Sequence, residues 1–125
     1  MLRVILPILL LFALTSQSAA AHTGMAITTP DHDEVLSSAP SQLVFEFMAY
    51  VTITNIRLEI STGAHSGEQL QIHLPRNSIG QSTAFGTTIT LVLPALEPAA
   101  YLVTWQAISL DGHVIVDDFN FTVSD

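Results

Sequence analysis

The sequence predicts an all-β fold: a small immunoglobulin-like antiparallel β-sandwich of about seven strands with Greek-key connections, set behind an N-terminal signal peptide. Three observations carry this expectation. Apolar residues alternate with polar ones at a period of two along most of the chain, as in strands with one face in a core and the other in water. Clusters of Pro, Gly, Asp, Asn and Ser interrupt the alternation at short intervals. No stretch after the leader shows the apolar period of an amphipathic helix. The same pattern fits a small closed barrel equally well.

The elements follow in chain order. Arg3 gives a short positive start, residues 4–14 form an almost unbroken apolar run, and residues 15–21 are small and polar, closing on the A-x-A cleavage site Ala19-Ala20-Ala21. The apolar run is well short of the roughly 20 residues that span a bilayer, which separates it from a membrane anchor. Residues 1–21 are therefore read as a signal peptide and residues 22–125 as one domain. Removing 21 of 125 residues leaves 104, enough for one hydrophobic core and too few for two. A cut one residue earlier, through Ser18 and Ala20, also satisfies the small-residue rule and leaves Ala21 in front of His22.

Beyond the turn formers of residues 30–33 and Pro40-Ser41, Leu43, Phe45 and Phe47 alternate with Val44, Glu46 and Met48. Ile56, Leu58 and Ile60 alternate with Arg57 and Glu59, and residues 61–67 form the next turn. Residues 67–85 are the least regular and yield only a weak strand over residues 70–74. Ile89, Leu91 and Leu93 make a further strand, followed by turn formers at residues 94–98. Tyr101, Val103, Trp105 and Ala107 make the next, ending at Asp111-Gly112. Phe119, Phe121 and Val123 make the last, with Asp117-Asp118 as its polar start. Phe45, Phe47, Tyr101 and Trp105 are expected in the core.

Charge and composition narrow the function. After residue 21 only Arg57 and Arg76 are basic, against 11 acidic residues, so the formal charge is −9. Such a surface repels phosphate backbones and anionic lipid, which argues against nucleic acid and against a membrane surface, and it favours cations. The chain has no cysteine, which removes disulfides, thiolate metal sites and cysteine nucleophiles.

Two features point to a metal. Cleavage after Ala21 makes His22 the N-terminus, and the free amine and the imidazole Nδ1 of a terminal histidine close a chelate ring that no internal histidine can form. Asp111-Gly112-His113 places a carboxylate and an imidazole on a turn that glycine permits to be tight. Copper(II) prefers nitrogen and oxygen donors in a tetragonal plane and heads the divalent affinity order. His22, Asp111 and His113 would supply its ligands, with Asp111 as the fourth or a longer axial one. Thr23-Gly24 excludes the alternative in which a histidine third in the chain completes a plane with backbone amides.

These residues stand in a longer pattern. His22 precedes Thr29-Pro30, Leu36 and Ala39-Pro40; Tyr101-Leu102-Val103-Thr104-Trp105 leads through Ser109-Leu110-Asp111-Gly112-His113 to Phe119-Asn120-Phe121-Thr122-Val123. The chain resembles the CopC family of periplasmic copper-binding proteins in its Y-x-V-x-W-x-x-x-S-x-D-G-H…F-x-F-x-V signature, and the likeness spans the whole of residues 22–125. The resemblance implies a β-sandwich that binds one Cu(II) through the terminal histidine, the aspartate and the D-G-H histidine, here His22, Asp111 and His113. Departures are Ala49 where the family often carries a glutamate, Val114 for the proline after D-G-H, Asp117 for a glycine, and His32-Asp33 for the aspartate and glycine of the first turn. The methionine-rich stretch of the family's copper(I) site is missing, and Met25 and Met48 read as isolated, so the chain resembles the Cu(II)-only members.

The expectation is a non-enzymatic periplasmic Cu(II) carrier or buffer in copper homeostasis or resistance, monomeric, working by resemblance with an inner-membrane copper transporter of the CopD type. A copper oxygenase with a histidine brace is the rival, which Asp111 opposes by stabilising Cu(II) and filling a position that oxygen needs. A metal-free adhesion sandwich is the third reading, since the fold alone permits it. Ser109, Asp111 and His113 lie too close in sequence for a hydrolytic triad, and no G-x-S-x-G elbow exists. His32 reads as turn chemistry between Asp31 and Asp33, and His65 and His73 as surface residues.

Overall fold

A computed structural model describes residues 26–125, and every regular element in it is a strand. They are β1 (Ala26–Thr29), β2 (Glu34–Leu36), β3 (Gln42–Ile60), β4 (Gln69–Leu70), β5 (Phe85–Val92), β6 (Ala99–Ser109) and β7 (Val114–Val123). All seven belong to one hydrogen-bonded sheet folded over on itself. The signal-peptide reading of residues 1–21 lies outside the described residues, and no described helix is long and apolar enough to cross a membrane.

The fold turns on β3. The alternations around Phe45 and Leu58, read from sequence as two strands, belong to one strand of 19 residues. Its first part pairs with β1 and β5, and its second part with β6, β4 and the start of β5. The β3–β5 register slips between Glu46 and Val51, and the β3–β6 register slips between Ile53 and Asn55. The second slip inserts Thr54 as a bulge and reverses which face points inward, so Val51 and Ile53 are buried before it and Leu58 after it. That is why two alternating runs out of phase look like two strands in the sequence. The bent β3 carries the chain from one layer of the sandwich to the other.

Between the layers, Leu43, Phe45 and Phe47 of β3 meet Val103 and Trp105 of β6 and Phe119 and Phe121 of β7, all within one buried cluster. Phe45 lies edge-on to Trp105 at 5.6 Å and to Phe119 at 5.9 Å, and Phe47 lies edge-on to Trp105 at 5.5 Å. These are the favourable T-shaped arrangements. The expected core aromatics are therefore all inside.

Other elements depart from the sequence reading. The weak strand over residues 70–74 is reduced to Gln69–Leu70. The last strand begins at Val114, so Asp117 and Asp118 lie within β7, opposite Trp105 and Thr104. The sandwich also holds one parallel pair, β2 with β7. It arises because residues 30–33 carry the chain across from β1 to the far edge of the β6–β7 layer. That turn contains a cis Thr29-Pro30 bond and a left-handed Asp33 at φ 62°. Asp33 N–H donates to the Asn120 carbonyl at 2.8 Å, and Asn120 N–H donates to His32 Nδ1 at 3.2 Å. His32 thus ties the first turn to β7.

Tyr101 opens β6 as a tyrosine corner. Its ring is buried and stacked on Phe121 at 5.4 Å, and its hydroxyl donates to the Glu97 carbonyl four residues upstream. Burial, and then Glu97, push the phenol above its ordinary pKa.

Candidate metal centre

The loop between β6 and β7 is a tight turn. Gly112 N–H donates to the Ser109 carbonyl at 3.0 Å, and Ser109 N–H donates to the His113 carbonyl at 2.9 Å. Gly112 sits at φ 87°, in the left-handed region where a side chain is strained. The turn folds Asp111 back over its neighbours. One carboxylate oxygen accepts from the Ser109 hydroxyl and from His113 N–H at 3.3 Å; the other meets His113 Nδ1 at 2.6 Å. The Ser109 bond first, and then the His113 bonds, hold the Asp111 carboxyl down to about 2. Asp111 is therefore an anion at any physiological pH.

An ionised carboxylate accepts but cannot donate, so its contact with Nδ1 puts the ring proton there and leaves Nε2 as the acceptor nitrogen. This is the carboxylate–histidine pairing that orients an imidazole for a metal. Both side chains are open to solvent, His113 at 82 % and Asp111 at 65 %. They look onto a groove of about 520 Å³ whose other walls include Phe47, Met48, Tyr50, Leu110 and Ile115. Ala49 also lines it, at the position where the sequence departs from a glutamate.

Two of the three expected ligands, Asp111 and His113, are thus side by side, and His22 lies outside the described residues. Among the described residues no group of three or more His, Asp or Glu could hold a metal ion. The loop supplies one carboxylate and one imidazole, and a further donor has to come from elsewhere. His32 is engaged in the first turn, and His65 Nδ1 stands 3.1 Å from Glu68, a partner that the sequence reading did not give it. His73 lines a different groove with Arg76. None of the three shares the Asp111–His113 groove.

The strand pairing shows what does point there. β5 lies along one edge of β3 opposite both Glu46 and Val51, so β1 and β6, which pair with the same stretches, share the other edge. On that edge β1 stops at Ala26 opposite Phe47, and β6 stops at Ser109 opposite Val51. Residues 48–50 lie between them with no ladder partner among the described residues. The β1 strand is therefore aimed along β3 at Ser109 and the loop it begins. Sequence reasoning gave Ser109 no part in the site; the S-x-D spacing was its signal.

Comparisons with known proteins agree with this architecture. Residues 25–124 match the family model described as the CopC domain. Among solved structures, CopC from Methylosinus trichosporium OB3b is similar at a TM-score of 0.62 and 20 % identity, over 80 % of this chain and 92 % of that one. PcoC from Escherichia coli, described as a copper resistance protein, is similar at a TM-score of 0.60 and 19 % identity, over 81 % of this chain and 99 % of that one. No curated protein matches.

Proposed function

The chain belongs to the CopC family, and from that premise we propose that it is a periplasmic carrier or buffer for copper(II), binding one ion through His22, Asp111 and His113. The observation that carries this reading is the stretch of β3 between the partners of Ala26 and Ser109, which has no ladder partner among the described residues, with the Asp111–His113 pair at its far end. Residue 22 lies four residues before Ala26, a reach of roughly 13 Å for extended chain. That equals the span along β3 from Phe47 to Val51, the partner of Ser109. A His22 freed by cleavage would bring an amine and an imidazole to the loop.

The donor set then comprises nitrogens and one anionic oxygen, which suits Cu(II) in a tetragonal field better than softer or larger cations. In the metal-free loop these hydrogen bonds keep Asp111 ionised beside His113, and the carboxylate would leave Nδ1 to reach an ion shared with the imidazole. Exposure of the pair suits an ion that must be delivered and removed. The acidic surface attracts cations at long range. Transfer to an inner-membrane transporter of the CopD type completes the proposal, with the protein acting as a monomer and performing no catalysis.

A copper titration of the secreted protein tests this. The expected result is one Cu(II) per chain, with binding crippled by His113→Ala and nearly intact in His32→Ala, His65→Ala and His73→Ala. Loss in any of the last three, with His113→Ala silent, would place the site elsewhere.

A further inference from the structure

The outer face of the β3–β6–β7 layer is laid out in rows by the strand pairing. Phe85, Thr52, Ile108 and Val114 stand directly opposite one another across β5, β3, β6 and β7, and directly opposed residues share a face. Phe85 is 52 % exposed, Val114 58 % and Val116, in the next row, 65 %. The row after that is charged: Arg57 of β3 and Asp118 of β7 flank Thr104 of β6. Both are exposed, and neither side chain has a hydrogen bond or ion pair among the described residues. This layout is complementary to itself. A two-fold axis laid along β6 between two copies sets β3 of each over β7 of the other. Arg57 of each copy then meets Asp118 of the other, Thr52 meets Val114, and Ile108 meets its own counterpart. Anionic lipid is repelled by a formal charge of −9 after residue 21, and a basic partner surface would meet Arg57 in mid-face.

We propose that two copies of this chain associate face to face through this layer, each Arg57 reaching Asp118 of the other copy. Sheets stacked in this way lie about 10 Å apart with their strands aligned. Three strands about 4.8 Å apart, in contact over roughly 20 Å of their length, give on the order of 300 Å² per copy. That is less than half of the roughly 800 Å² that each partner buries in a standard interface. The pair is therefore weak and reversible, and it forms where the protein is concentrated. Each copy keeps its own Asp111–His113 loop, so the monomer remains the unit that binds copper, and both loops open at the same end of the pair. The inference goes beyond the copper reading and does not depend on it.

Sedimentation equilibrium of the secreted, metal-free protein from about 20 µM to about 2 mM tests this, with amide NMR followed over the same range. The mass should rise toward that of two chains, and the amides of residues 102–108 and 114–118 should shift while those of β1 stay. Arg57→Asp and Asp118→Arg should each weaken the association at least about tenfold, because the axis makes every substitution count twice, and the double variant should recover it. Asp118→Arg is the sharper arm: it lowers the net negative charge, so general repulsion alone predicts tighter association, while loss of the exchanged pair predicts weaker. Copper(II) affinity should be unchanged in all three variants, so failure of the copper reading is seen separately. A monomer mass throughout, amide shifts confined to other residues, single variants that associate as well as wild type, or a double variant that stays monomeric would overturn the pairing.

Discussion

Replacing Ser109 with alanine should release the Asp111 carboxyl from its low pKa without unfolding the loop. The Ser109 hydroxyl is the largest of the influences holding that group at about 2 against an ordinary 3.8; the His113 bonds come after it. The variant keeps the backbone bonds between Ser109 and His113, because these use main-chain atoms. At pH 3 a carboxyl with a pKa near 2 is about 90 % ionised, while one near its ordinary value is roughly 15 % ionised. A carbon-detected NMR titration of the Asp111 side chain in the metal-free protein reads this directly. Wild type should titrate near 2 and Ser109→Ala well above it. The lowered native pKa favours the folded state above pH 3.8, and this contribution disappears as pH falls through about 2. A wild-type Asp111 titrating at the ordinary value, or a Ser109→Ala variant indistinguishable from wild type, would refute the hydrogen-bonded anion on which the site is built.

Three further outcomes follow from the structure. Tyr101→Phe keeps the buried ring but strands the Glu97 carbonyl, and should cost about 1–3 kcal/mol in urea melts with copper affinity unchanged; a loss within error would mean that the corner is ornamental. Asp33→Gly should raise the melting temperature by a few degrees, since Asp33 occupies a left-handed backbone region that costs an ordinary residue about 1 kcal/mol; a fall would show that its side chain outweighs the strain. Copper(II) at a thousandfold excess over Kd should stabilise the cleaved protein by about 4 kcal/mol at pH 7 and much less at pH 4.5. Because Asp111 stays ionised at both values, the loss would come from protons on nitrogen donors, and equal copper-induced shifts at both pH values would place the ion on carboxylates alone.

Much of this was legible in the sequence. Alternation over residues 101–107 and 119–123 located the two strands that flank the site, and Asp111-Gly112-His113 gave the turn between them, because D-G is local turn chemistry and needs no tertiary context. The continuity of β3 was not legible: a bulge at Thr54 shifts the alternation by one residue, and only the partner strand shows that the chain runs on. β2 is too short to alternate, and its parallel pairing with β7 is a tertiary event. Ser109 was hidden because a serine beside a turn is ordinary until the carboxylate is seen to accept from it. The convergence of β1 and β6 along one edge of β3 depends on register, which no single strand records.

The central claim is that the amine of residue 22 completes the site begun by Asp111 and His113. Mass spectrometry of the exported protein establishes whether His22 is terminal, and copper(II) affinity with electron paramagnetic resonance then compares that form with one carrying a single extra residue before His22. The account predicts a tetragonal nitrogen and oxygen spectrum and tight binding for the native terminus, and much weaker binding for the extended one, where the amine has become an amide. Equal affinity and identical spectra in the two forms would contradict it.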